Sequence, residues 1–505
     1  MWFGNLVTPE WWQQLWLKEG VARFMEFATL DHLFPEWNIW DEFTQSVYGL
    51  ALSLDSLESS HPVEVSVTHS DEINEIFDAI SYAKGASIIR MLSNFIGMDN
   101  FMKGMQLYLT RHAYSNAVSE DFWRAMSEAS GVPMLVEFMY TWTTVTGFPI
   151  LQLHTIENGD KLSMTTDRFY AGGTKSGNQA NTAVKWSMPV TARVEGSDAI
   201  QGPWVINGPD KDESEVLLQQ MQIWSSEEKW FKLNVDQNNF YHVCYTPEQW
   251  RRLARVMEPS GPLSISDRLG LISDSFSAGK AGYLSIVDSL RLVEGFASHE
   301  TGGKIIFIVC FQLIVSCSCH VSKSFPFLTE YAVWQELSSN LSSLASLYRS
   351  EKCYPKLQNY IRNIYKKQAE QLGWEPAPTD GARTGSLRAT VLHMMGIAND
   401  STIIREAYCR FMTIAKADAS SSDGVSLLSG DIRRVLFRLA LRHDEAIVYA
   451  TLKRLFEQQG SLSPEIQRDC LVVMGNVQDP KFHSEMLDYT VFSGKVNSTS
   501  HFLIS

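Results

Sequence analysis

Cysteine is scarce, at seven in 505 residues. They are too few and too scattered for the disulfide framework of a stapled secreted fold. Positive charge is in deficit: 43 Lys and Arg face 57 Asp and Glu, for a net charge of −14. That balance argues against electrostatic binding of nucleic acid. Long apolar runs are missing too. The most apolar stretch, residues 305–315, is shorter than the roughly 20 residues a helix needs to cross a bilayer, so we expect no membrane segment. The familiar catalytic spacings are absent as well. There is no H-E-x-x-H, no C-x-x-C, no phosphate-binding glycine loop and no nucleophile elbow, and no two of the 12 His stand four residues apart.

What is present is the material of a large globular chain. It is 45% hydrophobic and 20% charged, with 15 Trp and 17 Tyr, enough for sizeable aromatic cores or clefts. At ~150 residues per domain the length suggests roughly three domains. The cysteine usage points to a reducing, cytoplasmic setting.

The periodicity changes twice along the chain. Residues 1 to about 145 read as helical. Thr8-Pro9-Glu10 has the chemistry of a helix start, followed by Trp12, Leu15, Trp16 and Glu19 at helical spacing. A second helix is expected over 72–95, and others over 100–108 and 119–129, with a break at Gly131-Val132-Pro133. From 146 to 245 the period becomes two. Residues 150–156, 161–165 and 186–194 read as strands of a small antiparallel sandwich, separated by turn clusters at 157–160 and 172–177. From 246 to 505 amphipathic helices follow one another, for example 247–256, 283–297, 329–347 and 354–372, in the rhythm of an α-solenoid of the HEAT or armadillo kind. The expected class is therefore α+β and mostly helical. Residues 302–328 break the rhythm: they are β-branched, hold three of the seven cysteines and carry only Lys304 and Lys323 as charges.

Two side chains stand out chemically. Glu19 shares a helix face with Trp12, Leu15 and Trp16, where an unpaired buried carboxylate costs several kcal/mol. Either it meets a cation or metal, or it is a helix-end acid that reaches water beside Gly20. Tyr82 lies off the main apolar stripe of its segment. It is either a surface or inter-helix tyrosine, or a phenol aimed at a cleft and able to stabilise charge developing on an oxygen. Gly85 and Ala86 next to it would admit another element closely.

The segments Trp2–Thr8, Trp11-Trp12 and Leu15–Gly20 resemble the zinc aminopeptidases of the puromycin-sensitive, gluzincin type. So do Ser60–Val65, Asp78–Ser87, Gly147-Phe148-Pro149 and Asp267–Ile272. The resemblance covers nearly the whole chain outside 302–328 and the last nine residues. It implies that residues 1–145 are the C-terminal part of a thermolysin-like catalytic domain. In that family two His of an H-E-x-x-H helix and a later Glu bind zinc, and Glu19 matches that Glu. Tyr82 matches the tyrosine that stabilises the oxyanion. The implied partners are peptides with a free N-terminus, and the implied cofactor is zinc.

Departures from the pattern accompany the match. Both His ligands, the general base and the G-A-M-E-N segment are missing from residues 1–505; Lys18 replaces a usual Asn, and G-F-Y-R reads Asn239-Phe240-Tyr241-His242. We therefore expect an N-terminally truncated chain that does not hydrolyse peptides. Removing 302–328 restores the family register, so an aberrant insertion, such as a retained intron, is expected there. The tail 497–505 likewise replaces family sequence. The rival reading is a noncatalytic peptide-binding or interaction protein built from the same domains.

Overall fold

The computed structural model describes residues 2–156, 161–173, 185–209, 212–257, 261–301, 331–381, 383–416, 430–457 and 463–492. The expected turn at 157–160, most of that at 172–177, the insertion at 302–328 and the tail at 497–505 lie outside them. The described residues before 302 and those after 330 form two compact units.

In the first unit the chain does not begin as a helix. Thr8 and Pro9 belong to a short strand, β1 (Val7–Pro9), paired in parallel with β2 (Ser115–Ala117). Proline closes the strand, and the ladder is carried on by Glu10 N–H donating to the Ala117 carbonyl at 3.1 Å. The capping chemistry read at Thr8 is thus a strand end. A 3-10 turn at Trp12–Gln14 follows, and α1 (Leu15–Leu33) starts only then. Short helices α2 (Ile39–Glu42) and α3 (Gly49–Asp55) flank a π-helical stretch, Phe43–Tyr48.

The helix expected over 72–95 is three pieces: a 3-10 stretch Ser70–Ile76, a π turn Ile80–Lys84 and α4 (Gly85–Ile96). Two acids explain the break, because side-chain acceptors compete with the helical ladder. Glu72 turns back to accept from the Thr68 and His69 amides at 2.8 and 3.1 Å. Asp78 accepts from the Ile80 and Ser81 amides, both at 3.0 Å, and starts the chain afresh. Phe77 is exposed between them. In α4, by contrast, Ile88, Ile89, Met91 and Leu92 are fully buried, each worth about 1.5–3 kcal/mol. Helices α5 (Met98–Arg111) and α6 (Ser119–Ser130) lie close to their expected bounds, and α7 (Leu135–Thr144), beyond the break at 131–133, completes this layer. Trp16 of α1 stacks on Trp123 of α6 with centroids 5.7 Å apart.

Two three-stranded sheets follow. In one, β3 (Pro149–Ile156) pairs antiparallel with β4 (Lys161–Arg168) and parallel with β8 (His242–Cys244). The purely antiparallel expectation therefore needs correcting at β8. In the other, β5 (Met188–Val194) lies between β6 (Gln201–Ile206) and β7 (Phe231–Leu233). A helix that the alternation did not suggest, α8 (Ser214–Ser226), packs beside β4 and β6. Helices α9 (Pro247–Ala254), α10 (Ile265–Lys280) and α11 (Ile286–Thr301) end the unit. At α9 and α10, Thr246 and Ser264 supply the hydroxyl caps.

The second unit is helical throughout its described residues: α12 (Tyr331–Leu347), α13 (Tyr354–Leu372), α14 (Thr384–Ile397) and α15 (Ser401–Lys416), then α16 (Gly430–His443), α17 (Glu445–Glu457), α18 (Pro464–Met474) and α19 (Pro480–Phe492). No helix among the described residues is long and apolar enough to cross a membrane.

Candidate active site

Helix α1 and the Tyr82 segment cross where both lack a side chain. A Cβ on Gly20 would lie 2.8 Å from the Gly85 carbonyl carbon, closer than such atoms approach. One on Gly85 would lie 3.2 Å from Gly20 Cα and 3.5 Å from the Trp16 carbonyl. The close approach read from Gly85 and Ala86 is therefore made by α1. Its consequence is that Glu19 and Tyr82, 63 positions apart, face the same cleft.

The cleft has a volume of about 460 Å³, and its lining includes Glu19, Glu26, Val47, Leu50 and Tyr82. Leu15 and Trp16 are buried in the core, whereas the Glu19 side chain is 23% exposed at the rim. Lys18 Nζ lies 3.6 Å from Glu19 Oε1. The acid thus faces cleft, cation and phenol rather than the Trp-rich core. Tyr82 sits in the π turn, a distortion often found at functional sites. Burial first, then the charge of Glu19 and its pull on the hydroxyl proton, hold the Tyr82 pKa above its ordinary 10.0. The phenol therefore keeps its proton at neutral pH and can donate it in a hydrogen bond.

Two side-chain pairs fix this turn, and sequence reading singled out neither. Neither pair has a local signature, since the partners are distant along the chain. His61 Nε2 meets Asp78 Oδ2 at 2.7 Å, and His61 Nδ1 meets the Pro62 carbonyl at 2.8 Å. Both ring nitrogens face acceptors, so the imidazolium fits. The Asp78 hydrogen bond is the first cause of a raised His61 pKa. Deeper in, Lys84 Nζ meets Asp55 Oδ2 at 2.8 Å with both side chains fully buried.

The His61 contribution has a definite sign. A raised folded pKa means stability fully present below the ordinary 6.5 and lost as pH rises through the folded value. Thermal melts from about pH 6 to about pH 8 should therefore show the first unit weakening with pH. His61→Gln should flatten that slope, and an unchanged slope would remove His61 from the account. Asp78 works the other way: its pKa is lowered, against its own burial, by His61 and by the Ser81 and Ile80 amides. Its contribution is lost only as pH falls through that depressed value.

As a metal site the residues present do not suffice. Glu19 brings one carboxylate, where zinc sites normally have three or four protein donors. Among the described residues no three His, Cys, Asp or Glu side chains converge on a common point.

Residues 1–142 match the model of the peptidase family M1 domain, and residues 230–314 and 320–505 match that of the ERAP1-like C-terminal domain. The chain belongs to the M1 peptidase family. Among the proteins this M1 chain resembles are Aminopeptidase M1-A of Oryza sativa subsp. japonica, 32% identical over 100% of this chain and 52% of that protein, and Aminopeptidase M1 of Arabidopsis thaliana, 32% identical over 97% and 52%. Aminopeptidase 2, mitochondrial, of Saccharomyces cerevisiae is 29% identical over 98% of this chain and 46% of its own length. The M1 chain thus spans about half the length of the curated relatives it matches. Aminopeptidases of this family are zinc-dependent, and the M1 match agrees with the gluzincin resemblance.

Proposed function

We propose that these residues carry part of the active site of a zinc aminopeptidase that removes N-terminal residues from peptides. Glu19 supplies one metal ligand, and Tyr82 donates to the oxyanion of the tetrahedral intermediate. The observation that supports this most is the Gly20–Gly85 crossing, which turns a carboxylate and a protonated phenol toward one cleft. Zinc, when bound, would supply Lewis acidity and an activated water. Holding it takes donors beyond Glu19, and H-E-x-x-H, which would give two of them and the general base, is not in residues 1–505. On this reading the 505-residue chain by itself does not turn over peptides.

The finer architecture belongs to the same proposal: a partial peptidase domain over 1–145, a β-sandwich over 146–245 and a solenoid over 246–505, with 302–328 as an aberrant insert. A cytoplasmic location is proposed from the cysteine usage; all four described cysteines are free.

The test has two arms. The purified chain, dialysed against zinc, should retain well under one zinc per chain and release no fluorophore from aminoacyl substrates. Turnover that Glu19→Ala abolishes would overturn the inactivity. Full-length transcript reads of the locus form the second arm. If they extend upstream into an H-E-x-x-H, Tyr82→Phe in that longer protein should lower kcat about 10²–10³-fold, the loss typical of one oxyanion donor. An unchanged kcat would remove Tyr82 from the chemistry.

A further inference from the structure

The second unit holds a cavity of about 750 Å³ walled by α12, α14, α16 and the chain following α16 and α18. That is within the size range of small-molecule sites, about 300–1,000 Å³. Its wall carries Arg349, Arg438, Arg442 and His393, with Glu445 as its one carboxylate. Glu445 is already engaged, accepting from the Gln478 and Asp479 amides at 2.6 and 2.9 Å.

None of the three guanidinium groups has a carboxylate within ion-pair distance among the described residues. Arg442 donates to the Gly396 carbonyl and Arg349 to the Gln478 side-chain oxygen, both neutral acceptors. Arg438 has no hydrogen bond among the described residues, and its Nε is buried. Arg438 and Arg442 stand four residues apart on α16, where like charges repel. The neighbouring His393 is pushed down to about 4 by burial and then by Arg438 and Arg442. The buried arginines of the second unit are paired: Arg433 meets Asp469 at 2.8 Å and Arg388 meets Asp380 at 2.7 Å. Arg349 and Arg442 are exposed and Arg438 is half-buried, so water solvates part of their charge. In a chain with 14 more acids than bases, three arginines with no acid at ion-pair distance among the described residues still gather positive charge at one cavity wall.

We propose that this cavity binds a small, multiply charged oxyanion, held by the forks of Arg438 and Arg442 with Arg349 at the mouth. Guanidinium groups take phosphate or carboxylate oxygens two at a time. Such an anion would replace the arginine–arginine repulsion with charge-assisted hydrogen bonds. Neutral His393 would add a donor or an acceptor at no charge cost. The site is independent of the Glu19–Tyr82 cleft and of whether these residues catalyse anything.

The experiment is calorimetric titration of the purified 505-residue chain with pyrophosphate and, separately, with citrate, against potassium chloride of matched ionic strength. Saturable binding with a raised melting temperature is expected. Tighter binding of pyrophosphate assigns a phosphorylated ligand, and tighter binding of citrate a polycarboxylate. Arg438→Gln and Arg442→Gln should each weaken binding about ten-fold, the loss of one charge-assisted pair, without lowering the melting temperature of the free chain. Should a Gln variant fail to fold, Arg442→Lys, which keeps the charge and loses the fork, should still weaken binding measurably. No saturable binding of either anion, or undiminished affinity in the folded variants, overturns the proposal.

Discussion

Asp55→Ala should destabilise the first unit by about 3–5 kcal/mol, the usual result of stranding one partner of a buried ion pair. Lys84 is fully buried, and burial already lowers its pKa against the pull of Asp55. Its other hydrogen bonds go to carbonyls, Gly147 at 3.0 Å and Val145 at 3.5 Å, and its ammonium lies 6.0 Å from the centre of the Phe240 ring. Asp55 also accepts from Ser60 Oγ at 2.7 Å and from the Gly147 amide at 3.0 Å. One carboxylate thus ties three things together: the end of α3, the π turn that carries Tyr82, and the glycine with φ +90° that leads into β3. Lys84→Met in the Asp55→Ala background should recover part of the loss, because no charge is then left unpaired. Tryptophan fluorescence is a suitable probe, since all of the 15 Trp except Trp334 and Trp374 lie in the first unit. A loss below about 1 kcal/mol, or a double variant as weak as the sum of the singles, would show that the pair is not a coupled unit.

The sequence carried the parts of this fold whose signals are local. Helices α5, α6 and α13 follow their apolar period, and β3 and β5 their alternation. The failures occur where a side chain reaches across the chain. Thr8-Pro9-Glu10 offers a helix cap, but backbone pairing with residues 115–117 claims the segment as a strand. The stripe through 72–95 is periodic enough for one helix. Its interruption depends on where Glu72 and Asp78 send their oxygens, which apolar periodicity does not encode. Glu19 and Tyr82 were legible as oddities, a carboxylate and a phenol off their expected faces. That they share a cleft was implied only by the resemblance and not by their own spacing, because the crossing that unites them is made by two glycines, and a glycine shows in a sequence only as the absence of a side chain. The arginines of the second unit are a further case. Along the chain they look like ordinary charges, and only the fold shows that three of them gather around one cavity with no acid at ion-pair distance among the described residues.

The crossing also gives a sharp comparison between two similar substitutions. Gly20→Ala should cost about 1–3 kcal/mol or more, as overpacking against atoms that are unable to swing aside does. The new Cβ would meet Gly85 carbonyl carbon at 2.8 Å, Gly85 Cα at 3.0 Å and the Ala86 amide nitrogen at 3.2 Å, all of them backbone. Relief then requires α1 and α4 to move apart, and that motion separates Glu19 from Tyr82. Gly85→Ala reverses the geometry: its nearest contacts are Gly20 Cα at 3.2 Å and Trp16 at 3.5 Å, which a shift of a few tenths of an ångström would relieve. The expected order is a large loss for Gly20→Ala and a small one for Gly85→Ala. A spectroscopic readout separates position from stability. With Glu19 moved away, the Tyr82 pKa should fall part of the way back toward 10.0, leaving the contribution of burial. In protein labelled at the tyrosine rings, with Tyr82→Phe used to assign the resonance, that fall should appear in Gly20→Ala and be slight in Gly85→Ala. Equal losses of stability, or a Tyr82 titration that ignores Gly20→Ala, would mean that the glycine crossing does not set the distance between carboxylate and phenol. The case for one shared site would then have to rest on the two residues' matches to the family alone.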